Sequence, residues 1–136
     1  EFAAWSMTHV AGMPMEQYCP MCRGCSDWEA EKRRVEQAVR DSAYHIIGYK
    51  GSTCFGVGMA LVRIVKAILR GENSVLTVST LLEGEFGLTG VCLSVPCVVG
   101  REGVRRIVES RLSSEEQAAL HASAGVLKQA LEQIGG

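Results

Sequence analysis

The chain has 136 residues, a formal net charge of −1, and 47% hydrophobic against 21% charged residues. That length fits one domain able to bury roughly two-thirds of its unfolded surface. The near-neutral charge excludes a general nucleic-acid or polybasic membrane surface, and no apolar run reaches the ~18 residues that span a bilayer.

Residues 2 to 15, F-A-A-W-S-M-T-H-V-A-G-M-P-M, are apolar from the start. Termini are usually loose and solvated, so this leader either packs under the domain or belongs to a longer chain, and the second reading is preferred. Glu1-Phe2 is no charged n-region, and no signal peptide is read. His9 has no carboxylate near it in sequence and is read as structural.

Residues 16 to 27 are predicted as a loop with the spacing C-x-x-C-x-x-C at Cys19, Cys22 and Cys25. Three thiolates so spaced can begin a zinc or iron–sulfur site, but a fourth ligand is required. The next cysteine is Cys54, beyond a long helix, and no histidine stands at zinc-finger spacing. No metal site is expected, and the loop is read as carrying three free thiols. Cys54, Cys92 and Cys97 lie in apolar segments, where free cysteine behaves as a small hydrophobe. This usage implies reduced thiols and a cytoplasmic location.

A long helix is predicted over 27–48. Asp27 supplies an N-cap, acid fills the first turn, and Glu29/Arg33 and Glu36/Arg40 stand four apart. Val35, Val39, Ala43 and Ile46 or Ile47 form its apolar stripe, and Gly48 fits a stop. Tyr44 and His45, on its last turns, are read as structural.

The stretch Lys50 to Arg70 follows, thin-walled at its start and helical beyond. Gly51, Gly56 and Gly58 leave little bulk, and Thr53 puts one hydroxyl among them. Leu61, Ile64, Val65 and Ile68 recur at helical spacing, while Arg63, Lys66 and Arg70 point elsewhere. Each glycine costs about 1 kcal/mol against alanine inside a helix. Two of them two positions apart mark either tight helix–helix packing or close approach of a ligand.

Gly71 and Asn73 make a turn into a strand over Ser74–Leu82. A glycine-bearing connection, Glu83 to Gly90, leads to a second strand, Val91–Val99, in which Pro96 implies an edge or a bulge. Gly100 to Gly103 turn into a short third strand, Val104–Val108, and short links favour an antiparallel meander. Ser113-Ser114-Glu115-Glu116 reads as a capped helix start, with a stripe from Leu120 through Ile134. Helices and strands are segregated, so the fold class is α+β, long helices packed on an antiparallel sheet. No G-x-G-x-x-G follows a strand and no Walker loop is present.

G-S-T-C-F-G-V-G, A-I-L-R-G-E-N-S-V-L-T-V-S-T, G-E-F-G, L-S-V-P-C-V-V-G-R-E-G-V, L-S-S-E-E and S-A-G-V-L-K occur in that order. In order and spacing they resemble the C-terminal domain of bacterial L-lactate dehydrogenases, in the lactate/malate dehydrogenase family. The resemblance covers nearly the whole of residues 1–136. It implies a substrate domain for NAD-dependent interconversion of pyruvate and L-lactate, with the Rossmann domain and the catalytic His, Asp and Arg residues upstream. Glu1 would then close the motif G-E-H-G-D-S-E. Only Thr53, matching a substrate-pocket threonine, and Val57, matching an apolar position against the nicotinamide ring, carry over. The resemblance also implies a cytoplasmic homo-oligomer, usually a tetramer, with no catalytic residue in this stretch. Threonine at 53 and no proline near Val57 favour lactate over malate. The alternative of another class is a non-catalytic assembly domain, and a module binding metal at Cys19, Cys22 and Cys25 ranks behind it.

Overall fold

A computed structural model describes residues 2–22, 24 and 26–134, without the side chains of 20–22. Two compact units divide the described chain, one built from 55–110 and 117–134, the other from 2–54 and 111–116.

The second unit begins with a 3₁₀ turn, Trp5–Met7, and a hairpin of β1 (His9–Val10) and β2 (Met13–Pro14), closed by Ala11 and Gly12, both at positive φ. Helix α1 (Met15–Cys22) takes the place of the expected loop. The apolar residues of so short a segment set no period, so its helicity leaves no mark in the sequence. Cys19 is buried and disulfide-bonded, which corrects the reading of three free thiols. Cys25 lies outside the described residues, as does the side chain of Cys22.

Helix α2 (Trp28–Lys50) starts as expected, with the Asp27 carboxylate accepting from the Ala30 N–H at 3.0 Å. It ends two residues later than expected. Gly48 stays helical, and Gly51 supplies the left-handed cap at φ 73, its N–H donating to the Ile47 carbonyl at 2.7 Å. The Glu36–Arg40 pair forms at 3.8 Å. Glu29 pairs with Lys32 at 2.7 Å rather than with Arg33, one step shorter around the helix. Trp5 packs edge-on against Trp28 at 5.2 Å and donates its indole N–H to Glu36 at 2.7 Å. The leader is therefore folded against α2. The stripe assigned to α2 is not a core face, since no residue of this helix is buried and Val39, Ile46 and Ile47 are exposed.

Residues 111–116 are tied to the leader by Glu116. It accepts from the Ser6 N–H at 2.9 Å, from the Ser6 hydroxyl, and from the Ser113 N–H at 2.9 Å, while the Ser113 hydroxyl accepts from the Glu116 N–H. The last two bonds are the capping box read from the sequence. Burial alone would raise the Glu116 pKa, but the four serine hydrogen bonds outweigh it and hold the carboxyl below the usual range. A depressed folded-state pKa contributes stability that is complete above the unfolded value, about 4.3, and is lost as pH falls through the folded one. Acid titration followed by circular dichroism is expected to show that loss below pH about 4.3, and Glu116→Gln is expected to flatten it.

The first unit contains α3 (Cys54–Arg70, from its second residue), β3 (Ser74–Glu83), β4 (Thr89–Gly100), β5 (Gly103–Ile107) and α4 (Ser114–Ile134, from residue 117). The strands form the expected antiparallel meander, ordered β3-β4-β5. Alternation puts Val91, Leu93, Val95, Cys97 and Val99 on one buried face, opposite Leu82, Thr80, Val78, Leu76 and Ser74 of β3. The five β4 residues and Leu82, with Ala67 of α3 and Leu120 and Ala124 of α4, are buried in the core of this unit, while the other four β3 residues are half-buried. Burial pushes the Cys97 thiol up, as fits a small hydrophobe. Cys92 faces the other way and is exposed, as is Cys54, so of these three cysteines only Cys97 packs as a buried hydrophobe. Leu61 and Val65 are also exposed; the inward face of α3 runs through Ile64, Ala67 and Ile68.

Pro96 stands on the central strand, paired with Thr77, and not on an edge. Its carbonyl accepts from the Val108 N–H at 2.8 Å, just past the last registered β4–β5 pair, Cys97 with Ile107. The missing N–H thus faces the side where β5 is ending, and little pairing is lost. The connection over 84–88 is a 3₁₀ turn with Phe86 at φ 53. Glu109 accepts from the Phe86 N–H at 2.6 Å, and His121 Nε2 lies 3.0 Å from the Phe86 carbonyl, so both polar groups of that residue are held.

Candidate functional site

Two candidate residues flank the point where α2 ends and α3 begins, Thr53 in the second unit and Val57 in the first. The left-handed cap at Gly51 stops α2, and Ser52 and Thr53 are non-helical before α3 starts at Cys54. Thr53 is half-buried, and its hydroxyl bonds to no other described residue. Its hydrogen-bonding capacity is unspent within the described residues.

Val57 lies four residues on, in the first turn of α3, and is 55% exposed. Gly56 and Gly58 flank it. A Cβ built on either glycine meets no atom within 4 Å, so the tight helix packing offered as one explanation of these glycines is absent among the described residues. The bare turn is left open to the approach of a ligand or of another polypeptide.

Proton-transfer groups are not gathered here. His9 Nδ1 lies 3.1 Å from the Met7 carbonyl, His121 holds Phe86, and His45 sits exposed on α2. None of the three contacts a carboxylate among the described residues, so no oriented acid–base pair is formed. No group of three or more His, Cys, Asp or Glu side chains able to hold a metal occurs among the described residues. No helix among them is long and apolar enough to cross a membrane.

One feature of the first unit has no counterpart among the sequence expectations. A cavity of about 280 Å³ is lined by Arg70, Gly71, Asn73, Arg101, Glu102 and Arg105. Helical periodicity marks Arg70 only as part of a solvated face. The available signal is the pair of glycine-bearing turns, R-G-E-N and G-R-E-G-V-R-R, each carrying arginine at its edge.

The family model described as lactate/malate dehydrogenase, alpha/beta C-terminal domain, matches residues 1–135. An L-lactate dehydrogenase of Treponema denticola is 57% identical over 134 residues, which are 98% of this chain and 42% of that relative. In three dimensions the chain is similar to the minor L-lactate dehydrogenase of Enterococcus mundtii in its ligands-bound form, with a TM-score of 0.90 at 38% identity over 98% of this chain and 42% of that one. It is also similar to the malate dehydrogenase of Archaeoglobus fulgidus in complex with NADH, with a TM-score of 0.73 at 37% identity over 83% of this chain and 37% of that one. The chain therefore spans about 42% of the length of the curated relatives it matches.

Proposed function

Because the chain belongs to the lactate/malate dehydrogenase family, as its α/β C-terminal domain, we propose that it is the substrate domain of an NAD-dependent L-lactate dehydrogenase. The observation that carries this reading is the open stretch at 51–58: an unspent threonine hydroxyl, then an apolar residue bracketed by bare glycines. In this reading Thr53 donates or accepts one hydrogen bond at the bound keto or hydroxy acid. Val57 forms an apolar wall beside the nicotinamide ring and keeps water from that side. The dinucleotide, when bound, supplies the hydride. The proton donor, the cation for the substrate carboxylate and the dinucleotide cradle belong to the part of the enzyme outside these 136 residues. Thr53 and Val57 alone supply positioning and no acid–base step.

Lactate is favoured over malate by Thr53, by the absence of proline near Val57, and by the fuller match to the Enterococcus structure than to the Archaeoglobus one. Cytoplasmic location and a homo-oligomer belong to the same reading. The exposed apolar side chains of α2 and α3, among them Tyr49, Phe55 and Leu69, are surface that assembly would cover.

The test is a graft. The chain replaces the matching 134 residues of the Treponema relative. The chimera is expected to oxidise NADH with pyruvate, and the 136-residue chain alone is expected to show no turnover. A folded chimera without activity, or turnover by the chain alone, counts against the reading. Within an active chimera, Thr53→Val is expected to lower kcat/KM for pyruvate about tenfold, the effect of one hydrogen bond of roughly 1.4 kcal/mol. Its KM for NADH is expected to be unchanged.

A further inference from the structure

We propose that the cavity between the α3–β3 turn and the β4–β5 turn binds a small polyanion through its phosphate or carboxylate groups. Three guanidinium groups and one carboxylate line it, in a chain whose formal net charge is −1. Among the described residues, none of Arg70, Arg101 and Arg105 is ion-paired. The carboxylate beside them in sequence, Glu72, is held elsewhere, by Arg63 at 2.7 Å and the Ser74 hydroxyl at 3.2 Å.

The lining is shaped by several local departures from regular backbone. Gly71 at φ 62 and Asn73 at φ 53 fold the first turn, and asparagine tolerates that region better than most residues. On the opposite wall, Val98 pairs with Arg106 and Val99 with Val104, so Arg105 is the extra residue of a β-bulge. A bulge re-aims one side chain out of the alternation. Arg105 Nη1 donates to Asn73 Oδ1 at 2.9 Å, which fixes its fork across the cavity. Gly100 makes that contact sterically feasible, because a Cβ there would stand 2.6 Å from Asn73 Oδ1 and 3.0 Å from Arg105 Cδ. Arg101 closes over Gly71, its Nε 3.7 Å from where a Cβ would be.

Planar guanidinium forks match carboxylate and phosphate oxygens in pairs, and the volume suits a ligand smaller than a nucleotide. Arg70 also faces the negative end of α3, so Arg101 and Arg105 carry most of the recognition. Glu102 leaves an acceptor for a ligand hydroxyl. The site is separate from Val57. Val57 and Arg70 stand thirteen residue steps apart along α3, roughly 20 Å at ~1.5 Å per residue, and the proposal does not depend on the dehydrogenase reading.

The experiment is isothermal titration of the 136-residue chain with pyrophosphate and, separately, with citrate, at ionic strength fixed by sodium chloride. Saturable one-to-one binding of at least one probe is expected. Pyrophosphate alone identifies a phosphate ligand and citrate alone a carboxylate one; both together identify a general oxyanion site. The double variant Arg101→Ala, Arg105→Ala is expected to weaken binding at least tenfold, and Lys128→Ala, an exposed charge on α4, to leave it unchanged. If the alanine variant does not fold, Arg101→Lys with Arg105→Lys keeps the charge, removes the forks, and is expected to weaken binding several-fold. No saturable binding of either probe, or equal weakening by Lys128→Ala, overturns the proposal.

Discussion

Leu82→Ala is expected to destabilise the chain by about 2–5 kcal/mol, the range for emptying a fully buried leucine site. Leu82 has 0% exposure and is the largest of the fully buried side chains among the described residues. It occupies the inner face of β3 opposite Val91, immediately before the register shifts at Glu83. The irregular ladder beyond it, pinned by the Phe86 turn, limits how far the strand can collapse onto the cavity, and the cost rises with the volume left empty. Domains of this size are stable by only about 5–15 kcal/mol, so such a loss is a large fraction of the total. Urea unfolding is expected to show a lower midpoint with an unchanged slope. Leu81 is the control, adjacent on the same strand but 50% exposed on the other face. Leu81→Ala is expected to cost less than about 1 kcal/mol. Equal losses from the two substitutions would mean that the assigned inner face of β3 is wrong.

The fold is unevenly legible in the residues, and the unevenness has physical causes. The strands are legible because a half-buried antiparallel strand writes its two faces as a period of two, and Val91 to Val99 keep that period without a break. The caps at Asp27 and Ser113 are legible because they are local hydrogen bonds between near neighbours. The end of α2 differs from the expected one by two residues because Gly48 and Gly51 are both permitted stops, and only the left-handed φ of Gly51 decides between them. Burial on α2 does not follow from its stripe, because periodicity shows that a helix has an apolar face and says nothing of what covers it. Of the edge or bulge expected at Pro96, the edge fails, because the cost of the proline depends on whether the neighbouring strand has already ended, and a bulge does occur nearby, where the β4–β5 register shifts between Val98 and Val99. The two arginine-bearing glycine turns do not by themselves mark the arginine cavity, because it needs a bulge at Arg105 and a bare Gly100, brought to Asn73 across the sheet. Thr53 and Val57 are reached through family resemblance, since one hydroxyl and one valine carry no pattern of their own.

Val57→Asp is expected to lower kcat/KM for NADH at least a hundredfold in the Treponema chimera, while leaving the stability of the 136-residue chain within about 0.5 kcal/mol. The two halves of this expectation come from different physics. In the chain itself Val57 is 55% exposed on the first turn of α3, between two glycines that touch nothing within 4 Å. A carboxylate there loses little packing and meets the positive end of the helix dipole, so folding tolerates it. Against a bound nicotinamide ring the same carboxylate is stripped of water on one side and finds an apolar partner. Desolvating a charge without a counter-charge costs several kcal/mol, and each ~1.4 kcal/mol is a factor of ten in the equilibrium. A loss of two decades therefore asks for about 2.7 kcal/mol, within what partial desolvation supplies. Val57→Leu keeps the apolar contact and is expected to change kcat/KM less than tenfold. The pair separates surface chemistry from shape: if Val57→Asp and Val57→Leu leave NADH kinetics alike while both variants stay folded, Val57 does not face the coenzyme. The open turn at the start of α3 then has to be explained by another ligand or by a neighbouring polypeptide.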